Sequence, residues 1–562
     1  MAKIKQNKTT SAPSPVTAAP DSGNWKIWVP VVAAALMYLI TLSYPLLGLD
    51  DHQATVENKA VTEFSPFTNF NLGMYAPLTW AAYAIPYNLM PKDTFWGYHL
   101  LGFIVHLLNT WLVARLLLRL GVRESMRFPI ALLFAIHPIQ AESVAWVAGF
   151  STPFYVLFCL LGLLYYLKYQ AVADQTKWQW YALALIMMLL GNLAKSAAVV
   201  LPLLMVIIDW WLPSRLDLKK RIAGYAPFFL MALGFGLLTI YSRNVSGTAV
   251  GTDANGFSAI ERLLLVSYAP VFYLTKILLP FKLNIYYSFE RVNGVLPWVY
   301  WVAPLVIAAL SYTAWRYRKT IPGIYIGLAF FMANIFFTLP FVTLGTFELC
   351  ADHYNYLACV GVFFAIGSVL AYWSDQYPNK AALIRNVFIG WTVMVAVLGV
   401  KQVGMWKDTI TVVTNAIDNG YYHKGMMYFG RGVEYGDLSK PQLAMQDFTK
   451  ALELDPNMRD AYKFRGSLYA QAGQIDLAVK DIQKYLTYDS TDVVSWNNMA
   501  QIYMRQNKLQ QSLEAFNKTI ELKPGAIVSY QNRAKIHEMM GNQAAAAADL
   551  QRAKELSAGR NK

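Results

Sequence analysis

From residue 25 to residue 404 the chain is a succession of apolar runs, each bounded by Lys, Arg or turn residues, and that pattern leaves few folds open. A run of roughly 20 apolar residues matches a hydrocarbon core of about 30 Å, where only structures that satisfy their own backbone amides can cross. With 56% hydrophobic and 15% charged residues over 562 positions, much of the chain belongs in a bilayer. The fold class expected is all-α, a polytopic membrane helix bundle of about eleven spans. A net charge of +14 resembles a nucleic-acid signal, but the basic residues are scattered between apolar runs, as the positive-inside rule produces, and nucleic acid is excluded as a partner. Three cysteines, Cys159, Cys350 and Cys359, are too few for a disulfide framework or a Cys-rich metal site. Cys350 and Cys359 either pair or remain two buried thiols.

Residues 1–24 carry Lys3, Lys5 and Lys8 and then Ser, Thr, Pro and Ala, the composition of a disordered cytoplasmic tail. The run 25–47 has no cleavage-site pattern and reads as a first span leading outward. Arg119, Arg123 and Arg127 place the next junction in the cytoplasm, and Lys219, Lys220, Arg221, Arg316, Arg318 and Lys319 mark later ones. The stretch 260–280 then lies between two outer points and carries Glu261, Arg262, Lys276 and Pro270. It is expected to be an interfacial or re-entrant helix of the outer face. The membrane domain is thus assigned to 25–404, with an odd span count that puts the C-terminal part of the chain on the outer side.

After a connecting helix over 405–424, the composition turns soluble, and 425–562 repeats with a period of 34 residues. Tyr428, Tyr462, Trp496 and Tyr530 share one phase; Gly432, Gly466, Ala500 and Ala534 share another; Ala444, Ala478, Ser512 and Ala546 a third. This is the tetratricopeptide pattern of stacked helix pairs, so an α-solenoid of four units is expected. The first helix of each unit lines the concave groove, which assigns Lys463, Arg465, Asn497, Asn498, Gln501, Gln531 and Lys535 to that face. Such a surface suits an extended polar peptide, or is simply a solvated helix face.

Candidate chemistry gathers at the outer ends of the spans. Asp50 and Asp51 stand where the first apolar run ends: one carboxylate can take a proton from a hydroxyl while its neighbour holds a divalent cation or tunes it, or the pair is a solvated helix stop. His137 and Glu142, in the segment His137-Pro138-Ile139-Gln140-Ala141-Glu142, lie at similar depth. Lys195 breaks an otherwise apolar double run, so it either meets an anion or snorkels to the interface. Arg262, Asp352, His353 and Tyr354 complete the set.

Several strings appear together and in order: Asp50-Asp51 with Glu57-Asn58, Met74-Tyr75-Ala76-Pro77-Leu78, Trp96-Gly97-Tyr98-His99-Leu100, residues 134–142, Lys195 to Pro202 with Asp209-Trp210-Trp211, and Glu261-Arg262-Leu263-Leu264. With the repeats, they resemble the GT-C class glycosyltransferases of the transmembrane and tetratricopeptide-repeat O-mannosyltransferase family and its bacterial relatives. The resemblance implies transfer of a sugar from a polyprenyl-phosphate donor, a lipid of the membrane, to a protein acceptor on the outer face. It makes Asp50 or Asp51 the general base, Lys195 and Arg262 clamps on the lipid phosphate, and Asp352, His353 and Tyr354 substrate- or donor-binding residues, while His137 and Glu142 orient donor or acceptor or form a His-Pro turn with a satisfied Glu. Where that family commonly reads Ala-Asp-Arg-Tyr, this chain has Ala351-Asp352-His353-Tyr354. A membrane-anchored scaffold without catalysis is the alternative reading, and a transporter a third, disfavoured because polar residues gather at one face rather than at the midplane.

Overall fold

The computed structural model describes residues 25–560 apart from 72, 173–174, 213–216, 246–255, 288–290, 292–293, 342–349 and 421–423. The tail 1–24 lies outside the described residues. The chain forms two compact units, Met1–Asn415 and Ala416–Lys562, and among the described residues it is helical, with only isolated bridges of extended chain.

In the first unit, six helices have the length and apolar character of a membrane span: Trp96–Arg119, Ala148–Ala171, Leu218–Val245, Trp298–Tyr317, Asp352–Gln376 and Pro378–Met405. A bent pair, Glu124–Ile136 and Pro138–Ala145, counts as a seventh. Trp28–Ser43, Ser196–Trp211 and Pro322–Thr338 are apolar but shorter. The expected runs all carry helix, yet among the described residues the helices long and apolar enough to span are six or seven rather than eleven. Breaks at Pro138 and at Lys195 cut continuous apolar sequence into shorter helices, because Pro138 removes an amide and Lys195 adopts an extended backbone.

Two details hold the bundle together. Gly327 and Gly361 face each other across the Pro322–Ile335 and Asn355–Gln376 helices, and a Cβ on either would meet the other's carbonyl oxygen at 2.3–2.4 Å. Only hydrogen fits there, so the backbones approach closely, as small residues permit between membrane helices. One polar cluster in the packed interior is tied together: the Tyr356 hydroxyl lies 2.8 Å from His106 Nδ1 and accepts from Asn109 Nδ2 at 3.2 Å. His106 Nε2 lies 3.1 Å from the Ala135 carbonyl, so Nε2 carries the hydrogen and Nδ1 accepts from the tyrosine.

Ala259–Leu278 starts with a capping box between Ser258 and Glu261. At its other end, the Ile277 carbonyl accepts from His137 Nε2 at 2.9 Å and the Leu278 carbonyl from the Trp391 indole at 3.0 Å, midway along Pro378–Met405. Nine residues later, Tyr287 already donates to Asp352, at the beginning of the span Asp352–Gln376. The chain therefore turns between Leu278 and Tyr287.

The second unit contains four helix pairs: Lys424–Asp437 with Pro441–Leu454, Arg459–Gln471 with Ile475–Tyr488, Val493–Arg505 with Leu509–Leu522, and Ile527–Met539 with Gln543–Arg560. Ala444, Ala478, Ser512 and Ala546 are buried where helices touch, and a Cβ on Gly432 or Gly466 would strike Phe448 or Ile482. The repeat phases thus mark the positions with least room. An ion pair adds to them: Arg431 grips Asp447, Arg465 grips Asp481 and Arg533 grips Asp549, each through two nitrogens. In the third pair, the same two positions hold the buried apolar residues Met499 and Ala515.

Candidate functional site

The segment 137–150 is the hub of one end of the membrane unit, and Gly149 permits its tight course, since a Cβ there would lie 2.7 Å from the Glu142 carbonyl. Asp51 packs against it. Its Oδ1 accepts from the Ala148 amide and its Oδ2 from the Leu47 amide, both at 2.8 Å, and the residue is 0% exposed. Burial pushes the carboxyl up to about 7 in spite of these two amides, and neighbouring Asp50 pushes the same way. Asp51 is therefore not the carboxylate of a wet loop; it is a buried tie between residues far apart in sequence.

Asp50 differs from its neighbour. It is half-buried, and its side chain has no hydrogen bond or ion pair with any described residue. Burial alone holds its carboxyl above the usual carboxylate range. An accessible, unpaired carboxylate with raised proton affinity is what a general base requires, and Asp51 has none of that freedom. Tyr83, whose hydroxyl donates to the Val147 carbonyl at 2.6 Å, stands close enough to Asp51 to feel its charge.

Glu142 is at the start of the Asp352–Gln376 span. Its Oε2 accepts from the His353 amide at 3.2 Å and its Oε1 from His353 Nδ1 at 2.6 Å, so it caps that helix from another part of the chain. Lys195 donates to Thr152 Oγ1 at 2.8 Å and lies within electrostatic reach of Glu142. Asp352, buried, receives the Tyr287 hydroxyl at 2.9 and 3.1 Å, with Lys276 as its nearest cation. The Tyr354 ring packs on His353 at 4.3 Å.

Several of the expected site residues are engaged by the protein itself. His137 has no free nitrogen to orient a ligand: Nε2 meets the Ile277 carbonyl and Nδ1 accepts from the Ile139 amide at 3.2 Å. Glu142 is occupied by the helix that it caps. Arg262 is half-buried and donates from Nε to the Phe257 carbonyl at 3.2 Å, while its neighbour Glu261 is held by Arg291. In the solenoid, Arg465 spends both its donating edges on Asp481. Lys463 is bound to Asp492 at 2.8 Å, and Asn497 accepts from Ser529 at 3.4 Å. Asn498, Gln501, Gln531 and Lys535 have no partner among the described residues.

Tyr287 and Thr152 were not legible as site residues, since a lone Tyr in a loop and a Thr at a helix start carry no spacing signal. The Arg–Asp staple was legible: its partners stand 16 residues apart in the three repeats that keep it. Among the described residues, no three His, Cys, Asp or Glu side chains come together as a ligand set for a metal.

Apolar helices that bury ionisable groups at one end, joined to four stacked helix pairs, define an integral membrane protein with a tetratricopeptide solenoid. The tetratricopeptide repeat family matches residues 421–458 and 493–525. Over longer stretches the chain is similar to named protein O-mannosyl-transferases: Tmtc1 of Drosophila melanogaster, 28% identical over 305 residues, and Tmtc2 of the same organism, 27% identical over 288 residues. Each alignment takes in 47% of this chain and 34% or 30% of the relative. The protein O-mannosyl-transferase F38B6.6 of Caenorhabditis elegans is 19% identical over 401 residues, 68% of this chain and 54% of its own. This chain thus resembles the transmembrane, repeat-carrying O-mannosyltransferases, and it spans about a third of the length of the first two.

Proposed function

We propose that this chain is a membrane glycosyltransferase that moves a sugar, mannose by analogy with its named relatives, from a polyprenyl-phosphate carrier to a hydroxyl of a protein acceptor on the extracytoplasmic face. The observation that carries the reading is Asp50: a half-buried carboxylate without a partner, beside one that is fully tied. In the reaction, the acceptor oxygen bonds to the anomeric carbon, the bond from that carbon to phosphate breaks, and polyprenyl phosphate leaves with the electron pair. The hydroxyl proton passes to Asp50. Lys195, with two ammonium hydrogens beyond its bond to Thr152, meets the phosphate charge. The free groove side chains Asn498, Gln501, Gln531 and Lys535 support presentation of an extended polar segment of the acceptor.

The test is to incubate the purified full chain with labelled polyprenyl-phosphate mannose, with and without acceptor peptide, and to follow both transfer and hydrolysis. Asn498→Ala combined with Lys535→Ala is expected to reduce transfer to protein while hydrolysis of the donor stays unchanged. Equal loss of both activities would assign the groove to folding. Neither transfer nor hydrolysis in the wild-type protein would overturn the enzymatic reading in favour of a membrane-anchored scaffold.

A further inference from the structure

We propose that His353 is a proton-linked contact for the phosphate of the lipid carrier: the ring binds the anion by taking up one proton from solvent, with Glu142 behind it balancing the charge. This rests on the donor class proposed above.

The geometry of the pair is one-sided. With Glu142 as a carboxylate, which only accepts, the 2.6 Å bond between its Oε1 and His353 Nδ1 places the ring hydrogen on Nδ1. Glu142 Oε2 holds the amide of the same residue, which fixes the ring's position from both sides. A neutral ring in this tautomer turns a bare lone pair outward at Nε2, and Nε2 has no partner among the described residues. The His353 side chain is 17% exposed against 3% for Glu142, so one edge of the ring lies on the buried carboxylate and the rest reaches accessible surface.

The surrounding charges decide when Nε2 gains a hydrogen. Glu142 faces the ring from the segment 141–145, and Lys195 faces it from the break after Ala194, with Arg243 close behind. On its own element, the ring has Asp352 and Tyr354, and Asp352 is engaged by Tyr287 and lies near Lys276. Before a ligand arrives, burial and then Lys195 oppose a second positive charge. A bare lone pair also repels a phosphate oxygen. Once a phosphate neutralises Lys195, a proton on Nε2 is still opposed by burial and by Arg243 behind, and is favoured by both Glu142 and the ligand. Anion binding and protonation are then linked, and affinity falls by up to about tenfold for each pH unit above the bound ring's titration.

The experiment measures binding of a short-chain polyprenyl phosphate, without sugar, to the full chain in detergent between pH 6 and pH 9, for wild type, His353→Gln and His353→Arg. The phosphate's own ionisation is common to all three, so differences between them report the ring. Wild type is expected to lose affinity relative to His353→Arg by up to about tenfold per pH unit, while His353→Gln binds at least tenfold more weakly than wild type at pH 6 and parallels the arginine variant in slope. Parallel slopes for wild type and His353→Gln would overturn the inference and leave the lipid-donor reading standing. If no variant binds, His353→Arg included, the donor reading falls and the inference with it.

Discussion

Replacing each of the adjacent aspartates by asparagine is expected to separate chemistry from folding. Asn at position 50 keeps shape and loses proton affinity; with no partner to break, the fold changes by no more than about 0.5 kcal/mol. Loss of a positioned base lowers the transfer rate by roughly 10²–10⁴. Position 51 behaves in the opposite way. Asn has one accepting oxygen where Asp51 uses two, so either the Leu47 or the Ala148 amide is orphaned in a site with 0% exposure, at about 1–3 kcal/mol. The sign of the pH dependence follows from burial. The Asp51 carboxyl rises from 3.8 unfolded to about 7 folded, so between those values the folded state holds a proton that the unfolded state has released. Wild-type stability from this group is thus fully present near pH 4 and is lost as pH rises to 7, by on the order of 4 kcal/mol. Asp51→Asn does not titrate. Its deficit against wild type, measured by thermal or urea unfolding in detergent, is therefore greatest near pH 4 and shrinks by pH 8. A deficit independent of pH, or wild-type turnover in Asp50→Asn, would refute the assignment.

Four further outcomes are expected. In the solenoid, Arg465→Met leaves Asp481, 6% exposed, without its cation and costs about 3 kcal/mol, whereas Arg465→Met with Asp481→Ala copies the Met499 and Ala515 pair and comes close to neutral; a urea-unfolding cycle on residues 416–562 with no coupling would refute this. Gly327→Val forces apart two helices whose backbones meet at hydrogen distance and lowers stability by about 1–3 kcal/mol, seen as a lower melting temperature, while Gly224→Val, with nothing within 4 Å, is expected to be silent. Because burial raises the Asp50 carboxyl, the acid limb of transfer rate against pH is expected above pH ~4, the region of a solvated carboxylate. A cysteine introduced by Ser490→Cys is expected to react with an impermeant thiol reagent from outside intact cells; labelling only after lysis would put the solenoid with the N-terminal tail.

The architecture was largely readable in the order of residues. Apolar length and the spread of Lys and Arg located the helices, since the bilayer demands both, and several repeat phases agreeing at one period located the solenoid. The site was readable only as a set of candidates. Asp50 and Asp51 are identical in sequence terms. His137 and His353 are both histidines near turns, yet one is saturated by two backbone groups and the other keeps a free nitrogen.

Composition and periodicity determine which elements form, because burial of apolar surface and satisfaction of backbone amides are properties of a stretch of chain. Which carboxylate is tied and which is free depends on groups far away along it. Ala148 reaches Asp51 across 97 positions and His353 reaches Glu142 across 211. A hydrogen bond acts over about 3 Å, and that distance exists only after the helices pack. Tertiary structure alone therefore decided that Asp51 and Glu142 are tied into the fold, while Asp50 and the Nε2 edge of His353 have no partner among the described residues.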